Sequence, residues 1–202
     1  MRRLMPVLLL AQAILAIRVF ARFLNTRQGD RIVRSETACP GCGQVTVLVP
    51  VLNEVPRLGL CLEGLIAQGH EVAEILVIDG GSSDGTQALV ARYTDRDRRV
   101  RLIDASPVPD GVNGKAHGLQ VGLEHRADTT RWVLTIDADV RPEPLLVRSL
   151  LKYATEEGLL ALSAATLQRV SGPAEAMLHA SMLTTLVSVS YTHLTLPTKR
   201  IV

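Results

Sequence analysis

Residues 131–142, Arg-Trp-Val-Leu-Thr-Ile-Asp-Ala-Asp-Val-Arg-Pro, form a short apolar run closed by two aspartates that flank a single small residue. Val133, Leu134 and Ile136 are strand formers, and the halt at Asp137-Ala138-Asp139 before Pro142 reads as an interior strand ending at a ligand-facing edge. Open α/β sheets bind ligands at such strand ends. In extended backbone the side chains of Asp137 and Asp139 point to one side and Ala138 to the other. Carboxylates so placed repel each other, and a divalent cation shared with a phosphate relieves that repulsion, because Mg²⁺ takes one or two carboxylates plus phosphate oxygens. Alone, the pair fits a solvated turn better than a metal site. The upstream sequence decides between the two.

Working back from this strand, the same alternation of apolar strand and amphipathic helix recurs. Val45 to Val51 is a β-branched run with Pro50 near its end, and Leu58, Cys61, Leu62, Leu65 and Ile66 follow at helical spacing until Gly69. Glu74 to Ile78 is a second apolar run, leading into Asp79-Gly-Gly-Ser-Ser-Asp-Gly-Thr86 and a helix that carries Ala88, Leu89 and Tyr93. Val100 to Ile103 is a third strand. Pro107 to Gly114 is a loop, and Lys115 to His125 a helix with Leu119 and Leu123 on one face. After the 131–136 strand, Leu145 to Tyr153 predicts a helix and Leu159 to Ala165 a further strand. Strands alternating with helices of this length predict an α/β fold with a mostly parallel sheet flanked by helices.

The chain of 202 residues is 47% hydrophobic and 21% charged, enough for one core plus an appendage and far from a disordered composition. Its net charge of +2 conceals an arginine-rich N-terminus, with Arg2, Arg3, Arg18, Arg22, Arg27, Arg31 and Arg34. With aromatics at 3% and no nucleic-acid motif, that end points to a membrane surface and away from nucleic acid. Residues 1–24 include an almost wholly apolar stretch, expected to be a membrane-spanning or interfacial helix in which Arg18 and Arg22 snorkel to the headgroups. Residues 25–44 read as a linker, residues 45–187 as the globular domain, and residues 188–202 as a tail resembling a vector or adapter scar, outside the fold. Three cysteines make no disulfide framework; Cys39-Pro-Gly-Cys42 is expected to be a turn and Cys61 a core residue.

Pro50-Val-Leu-Asn-Glu54, the Asp79 to Thr86 loop, Gly114-Lys115 and Asp137-Ala-Asp139 all fall at C-terminal ends of successive strands, which a parallel sheet gathers at one crevice. In this order and spacing, VPVLNE, DGGSSDGT, NGKAHGLQVGL and DADVRP resemble the nucleotide-binding half of family-two glycosyltransferases of the Rossmann-like GT-A fold. PVPDGVNGKAHGLQ is similar to the membrane-associated members that glycosylate hopanoid, carotenoid and related polyisoprenoid lipids. The resemblance covers roughly residues 45 to 185.

The resemblance implies a nucleotide-sugar donor, UDP-sugar favoured, a lipid or glycan acceptor at a membrane, and a catalytic domain on the cytoplasmic side. It implies that Asp79 accepts a hydrogen bond from the base, that Gly80, Gly81 and Gly85 permit the turn around it, and that Pro50 and Glu54 hold base and ribose. Lys115 would lie near the diphosphate, Asp137 would face the ribose, and Asp139 would hold Mg²⁺ or Mn²⁺. From the residues alone, Asp84 and Thr86 are expected to cap the following helix, Glu54 fits a first-turn acid, and Lys115 fits a surface lysine. Trp132 is expected to pack, and Arg141 and Glu143 to be ordinary helix-start residues. The family's general base lies in an acidic motif beyond the Asp-x-Asp strand; Glu156 and Glu157 are the nearest acids and read as solvated, placing the base beyond the chain end. The implied reaction is transfer of a sugar with inversion. Alternatives are a silent donor-binding scaffold and a sugar nucleotidyltransferase, although the latter's glycine-rich basic signature is absent after the first strand. A dehalogenase-type phosphatase is disfavoured by Arg141, and dinucleotide and P-loop binding by the lack of GxGxxG and of a Ser or Thr after Gly114-Lys115.

Overall fold

The computed structural model describes residues 10, 12–18, 20–21, 32–37, 44–164, 172–175, 177–179 and 182. The chain divides into two compact units, one of residues 32–160 and one of residues 1–31 with 161–202. In the latter, residues 12–18 and 20–21 are helical, with Leu10, Ile14, Leu15, Ile17 and Phe20 exposed. Among the described residues no helix is long and apolar enough to cross a membrane. Cys39, Cys42 and the 188–202 tail lie outside the described residues.

The 32–160 unit runs β1 (Val45–Val51), α1 (Val55–Ile66), β2 (Val72–Asp79), α2 (Thr86–Arg96), β3 (Val100–Asp104), α3 (Gly114–Glu124), β4 (Trp132–Thr135) and α4 (Leu146–Glu156). The strands lie in the order β3-β2-β1-β4, and every pairing is parallel. The predicted α/β sheet is therefore present, and its central strand shows why β1 reads as an unbroken apolar run. Val45, Val47, Val49 and Val51 face a cluster with Leu58, Cys61, Leu62 and Leu65 of α1, Val90 and Tyr93 of α2, and Val147 and Leu151 of α4. Leu48 faces the other layer with Leu76, Ile78 and Ile103, against which Leu119 and Val121 of α3 pack. A strand covered on both faces needs apolar side chains at every position. Thr46 is the exception, and it is satisfied: its hydroxyl donates to Glu74 Oε1 at 2.7 Å, while Glu74 also accepts from Ala127 N and Arg101 Nη1.

Three expectations are corrected. The 131–136 run is an edge strand of the described sheet, not an interior one: Trp132 and Leu134 pack inward while Val133 is exposed. A short apolar run has the same composition whether one or both of its faces are covered, so sequence could not separate the two. Residues 159–164 form no strand, and Leu160 is almost fully exposed. The buried face of α3 is Gly118 and Gly122, with Leu119 only partly covered and Leu123 exposed.

That last difference has a steric cause. A Cβ at Gly122 would sit 2.9 Å from Ile78 Cδ1 and 3.1 Å from Leu48 Cδ2, so α3 lies closer to β1 and β2 than any side chain would allow. Gly122→Leu is expected to lower stability by roughly 1–3 kcal/mol through overpacking, read as a fall in the urea midpoint at unchanged slope. An unchanged midpoint would show that α3 is free to shift outward.

Candidate functional site

The chain leaves β1 toward β2 on one side, while β4 pairs on its other side, so the strand order reverses at β1. Ligands of open α/β sheets bind in the crevice beyond such a point. A cavity of about 450 Å³ opens there, lined from β1 by Pro50, Val51, Leu52 and Glu54, from β2 by Ile78 and Gly80, from α3 by Asn113, Gly114, Lys115 and Gly118, and from beyond β4 by Asp137, Ala138 and Asp139. Val108 completes an apolar wall with Leu52 and Ile78. Thus Pro50, Glu54, Lys115, Asp137 and Asp139 share one cavity.

Asp79 is placed differently. It ends β2 level with Val51 and Asp104, fully buried, and both its oxygens are engaged within the chain. Ser82 N and Oγ donate to Oδ1 at 3.0 and 2.5 Å, and Gln87 Nε2 donates to Oδ2 at 2.6 Å. The loop it organises requires left-handed backbone at Gly81 (φ 102°) and Gly85 (φ 96°), which glycine adopts without a Cβ clash. Gly80 itself lines the cavity.

Two loops interlock above this floor. Asn53, at φ 57°, accepts from Ser83 N through Oδ1 and donates its own N–H to Ser82 Oγ. Asp84 accepts from Thr86 N and Oγ1, as a local cap, and also from Val55 N at the start of α1. These bonds, the Thr86 hydroxyl foremost, hold the Asp84 carboxyl below its usual pKa. Thr86 Oγ1 accepts in turn from Glu54 N. Asp84 therefore accepts the first N–H of both α1 and α2, while Thr86 ties down the residue before α1. Glu54 Oε2 lies 3.2 Å from Arg57 Nε but outside hydrogen-bond geometry, leaving a buried oxygen without a hydrogen-bond partner.

Asn113 caps α3, its Oδ1 accepting from Ala116 N at 3.1 Å. The capped first turn brings the positive end of the helix to the cavity wall, an arrangement that suits an anion. Lys115 Nζ meets Asp137 Oδ1 at 2.5 Å with both side chains more than half exposed, a contact worth about 1 kcal/mol or less. Asp139 has no side-chain hydrogen bond or ion pair among the described residues. The two aspartates lie in a turn closed by Val140 N to Asp137 O, not in extended strand, yet Ala138 is buried while both acids are exposed.

This donor set suits a hard cation only in part: no cluster of three or more His, Cys, Asp or Glu among the described residues could hold a metal alone. One or two carboxylates beside a cradle for an anion match a cation that draws its remaining ligands from a diphosphate. Trp132 packs against the core, and Arg141 makes no cavity wall. Glu156 and Glu157 are exposed at the end of α4, with Glu156 paired to Lys152. Sequence reading missed the wall of Leu52, Ile78 and Val108, the Asn113 cap, and Gly118 on the cavity floor; Asn three residues before Ala116 was the one legible signal.

Cys61 lies beneath the turn, its Sγ 3.7 Å from Asp137 O. Burial first, then the charges of Asp139 and Asp137, push its thiol up to about 12. Iodoacetamide at about pH 8 should leave Cys61 unmodified in the native chain and label it after unfolding, as located by mass spectrometry. Native labelling would show that the turn opens readily.

A family model described as Glycosyl transferase family 2 matches residues 46–198. The lipopolysaccharide core biosynthesis glycosyltransferase LpsC of Rhizobium meliloti is 36% identical over 102 residues, 50% of this chain and 34% of that protein. A 4,4'-diaponeurosporenoate glycosyltransferase of Staphylococcus aureus is 30% identical over 97 residues, 48% of this chain and 24% of that protein. Among solved structures, the mannosyltransferase PcManGT of Pyrobaculum calidifontis, in complex with GDP-Man and Mn²⁺, is 28% identical with a TM-score of 0.46, covering 64% of this chain and 38% of that one. The chain thus spans about a third or less of the length of these curated relatives.

Proposed function

The chain belongs to glycosyl transferase family 2, and from that premise we propose that it is the donor-binding part of an inverting glycosyltransferase that moves a sugar from a nucleotide-sugar donor, UDP-sugar favoured, to a membrane lipid or glycan acceptor. The observation that carries this reading is the single cavity joining Lys115 and the α3 N-terminus to Asp137 and Asp139. In this reading Pro50 and Glu54 would hold the base and ribose, with Leu52, Ile78 and Val108 supplying apolar lining for the base. Asp79 would meet the base only through the acceptor capacity left on Oδ2, because Ser82 N and Oγ already donate to Oδ1 and Gln87 Nε2 to Oδ2.

Asp139 would hold a divalent cation, which when bound supplies positive charge to the departing diphosphate, while Asp137 would face the ribose. Lys115 and the first turn of α3, which line the same cavity, would meet the same developing charge. Lys115 leaves Asp137 to do so, an exchange made inexpensive by the exposure of their pair. The acceptor hydroxyl attacks the anomeric carbon from the face opposite the diphosphate and gives its proton to a carboxylate base. The exposed apolar side chains of residues 10–20 and the arginine-rich N-terminus support a membrane-associated protein with this domain on the cytoplasmic side.

Calorimetric titration with UDP- and GDP-sugars, with and without Mn²⁺ or Mg²⁺, tests the reading. Binding that tightens with the cation is expected, and absence of nucleotide-sugar binding under both conditions would overturn it.

A further inference from the structure

The acidic turn has two sides. Facing the cavity, its only described side-chain tie is the exposed Lys115 pair, and Asp139 is held by no bond of its own. Its rear is fastened to α1 and the residue just beyond that helix's end. Cys61 Sγ donates to Asp137 O. Gly64 faces Pro142 so closely that a Cβ there would sit 2.8 Å from Pro142 Cδ and closer still to the Pro142 carbonyl oxygen. Gln68, only 4% exposed, donates from Nε2 to Gly64 O at 2.8 Å and to Glu143 O at 2.9 Å, and accepts from Val147 N at 3.2 Å.

Cys61 and Gly64 lie three apart on one face of α1, Gln68 follows just past its C-cap, and their targets run from Asp137 to Val147. The last contact replaces a missing cap. Leu145 occupies the N-cap of α4 in left-handed backbone (φ 69°) without a capping side chain, and Gln68 supplies the acceptor from outside the helix.

We propose that Cys61, Gly64 and Gln68 are positioning residues that fix the acidic turn and thereby set how tightly the cavity takes a divalent cation together with a nucleoside diphosphate. The inference rests on the donor-site reading above. A metal site must hold its ligands to within about 0.5 Å, and the residues behind the ligands do that holding. Because the carboxylate of Asp139 is free of side-chain partners, its position follows the backbone, and α1 fixes that backbone.

The test uses the full chain with UDP and GDP as probes, titrated with and without saturating Mn²⁺, for wild type, Gly64→Ala, Gln68→Met and Asp139→Ala. Gly64→Ala forces Pro142 outward; Gln68→Met keeps the side chain's length and removes its bonds. Both variants are expected to keep a cooperative thermal transition and their cation-free affinity to within about 2-fold, while the gain conferred by Mn²⁺ falls about 10- to 100-fold. A merely structural role would weaken binding equally with and without Mn²⁺, and that result, or an undiminished gain in whichever variant folds, overturns the proposal. Failure of the donor-site reading is distinct: wild type would then show no gain from Mn²⁺ at all, and Asp139→Ala would match it.

Discussion

Asp139→Ala should lose the cation-dependent part of nucleotide-sugar binding, a fall of at least about 100-fold in affinity measured in Mn²⁺, while binding in the presence of a chelator stays near the wild-type value. The expectation follows from the unequal surroundings of the two acids. Asp137 is paired to Lys115, whereas Asp139 lines the cavity with no side-chain partner among the described residues. A carboxylate already shared with an ammonium is the poorer ligand, because a cation must first displace Lys115 or accept its repulsion. Asp137→Ala should therefore be milder: it removes one acid but frees Lys115 to meet the diphosphate, so cation-free binding should hold or rise. Calorimetry of the three proteins with and without Mn²⁺ separates these outcomes. Equal, cation-independent binding in wild type and Asp139→Ala would remove the metal from the site. Equal losses in the two variants would instead mean that both carboxylates bind the cation.

Much of this site could be read before any coordinates, because its parts sit where chain chemistry is most legible. A β-branched run ending in Pro50, a glycine-rich loop after Asp79 and an apolar run ending in Asp-Ala-Asp each announce a strand end, and a parallel sheet must bring those ends together. Side-chain direction at a strand end has no such local code: the carboxylate of Asp79, which closes β2, is turned inward onto Ser82 and Gln87. The glycine face of α3 was invisible for a related reason. Amphipathic spacing counts apolar side chains, and a helix pressed against a sheet through Gly118 and Gly122 presents none where it is most buried. The hold of α1 on the acidic turn was out of reach altogether, since Gln68 and Glu143 are 75 positions apart and neither residue type signals the other. Sequence thus placed Pro50, Glu54, Lys115, Asp137 and Asp139 at one sheet edge, while the contacts that hold them there come from long-range packing.

The support with the largest predicted effect on stability is the pair behind α4. Arg148→Met should lower unfolding free energy by about 3–5 kcal/mol, a large share of the roughly 5–15 kcal/mol typical of a domain. Glu71, at the turn into β2, is 1% exposed and its Oε1 pairs with Arg148 Nε. Its Oε2 is buried with no hydrogen-bond partner, so the guanidinium is the chief compensation for the buried charge. Arg148 Nη1 also donates to Glu36 O, and neighbouring Ser149 Oγ accepts from Ser35 N, so the same turn of α4 fastens residues 35–36 to the unit. Truncation to methionine keeps most of the packed volume but strands the carboxylate, and an unpaired buried charge costs far more than the pair contributes. The double variant Glu71→Leu with Arg148→Met should accordingly recover most of the loss, because an apolar pair of similar volume needs no compensation. Urea unfolding of the two single variants and the double variant closes the cycle. If Arg148→Met loses less than about 1 kcal/mol, or if the double variant falls by the sum of the singles, water reaches Glu71 and the pair is only a surface contact.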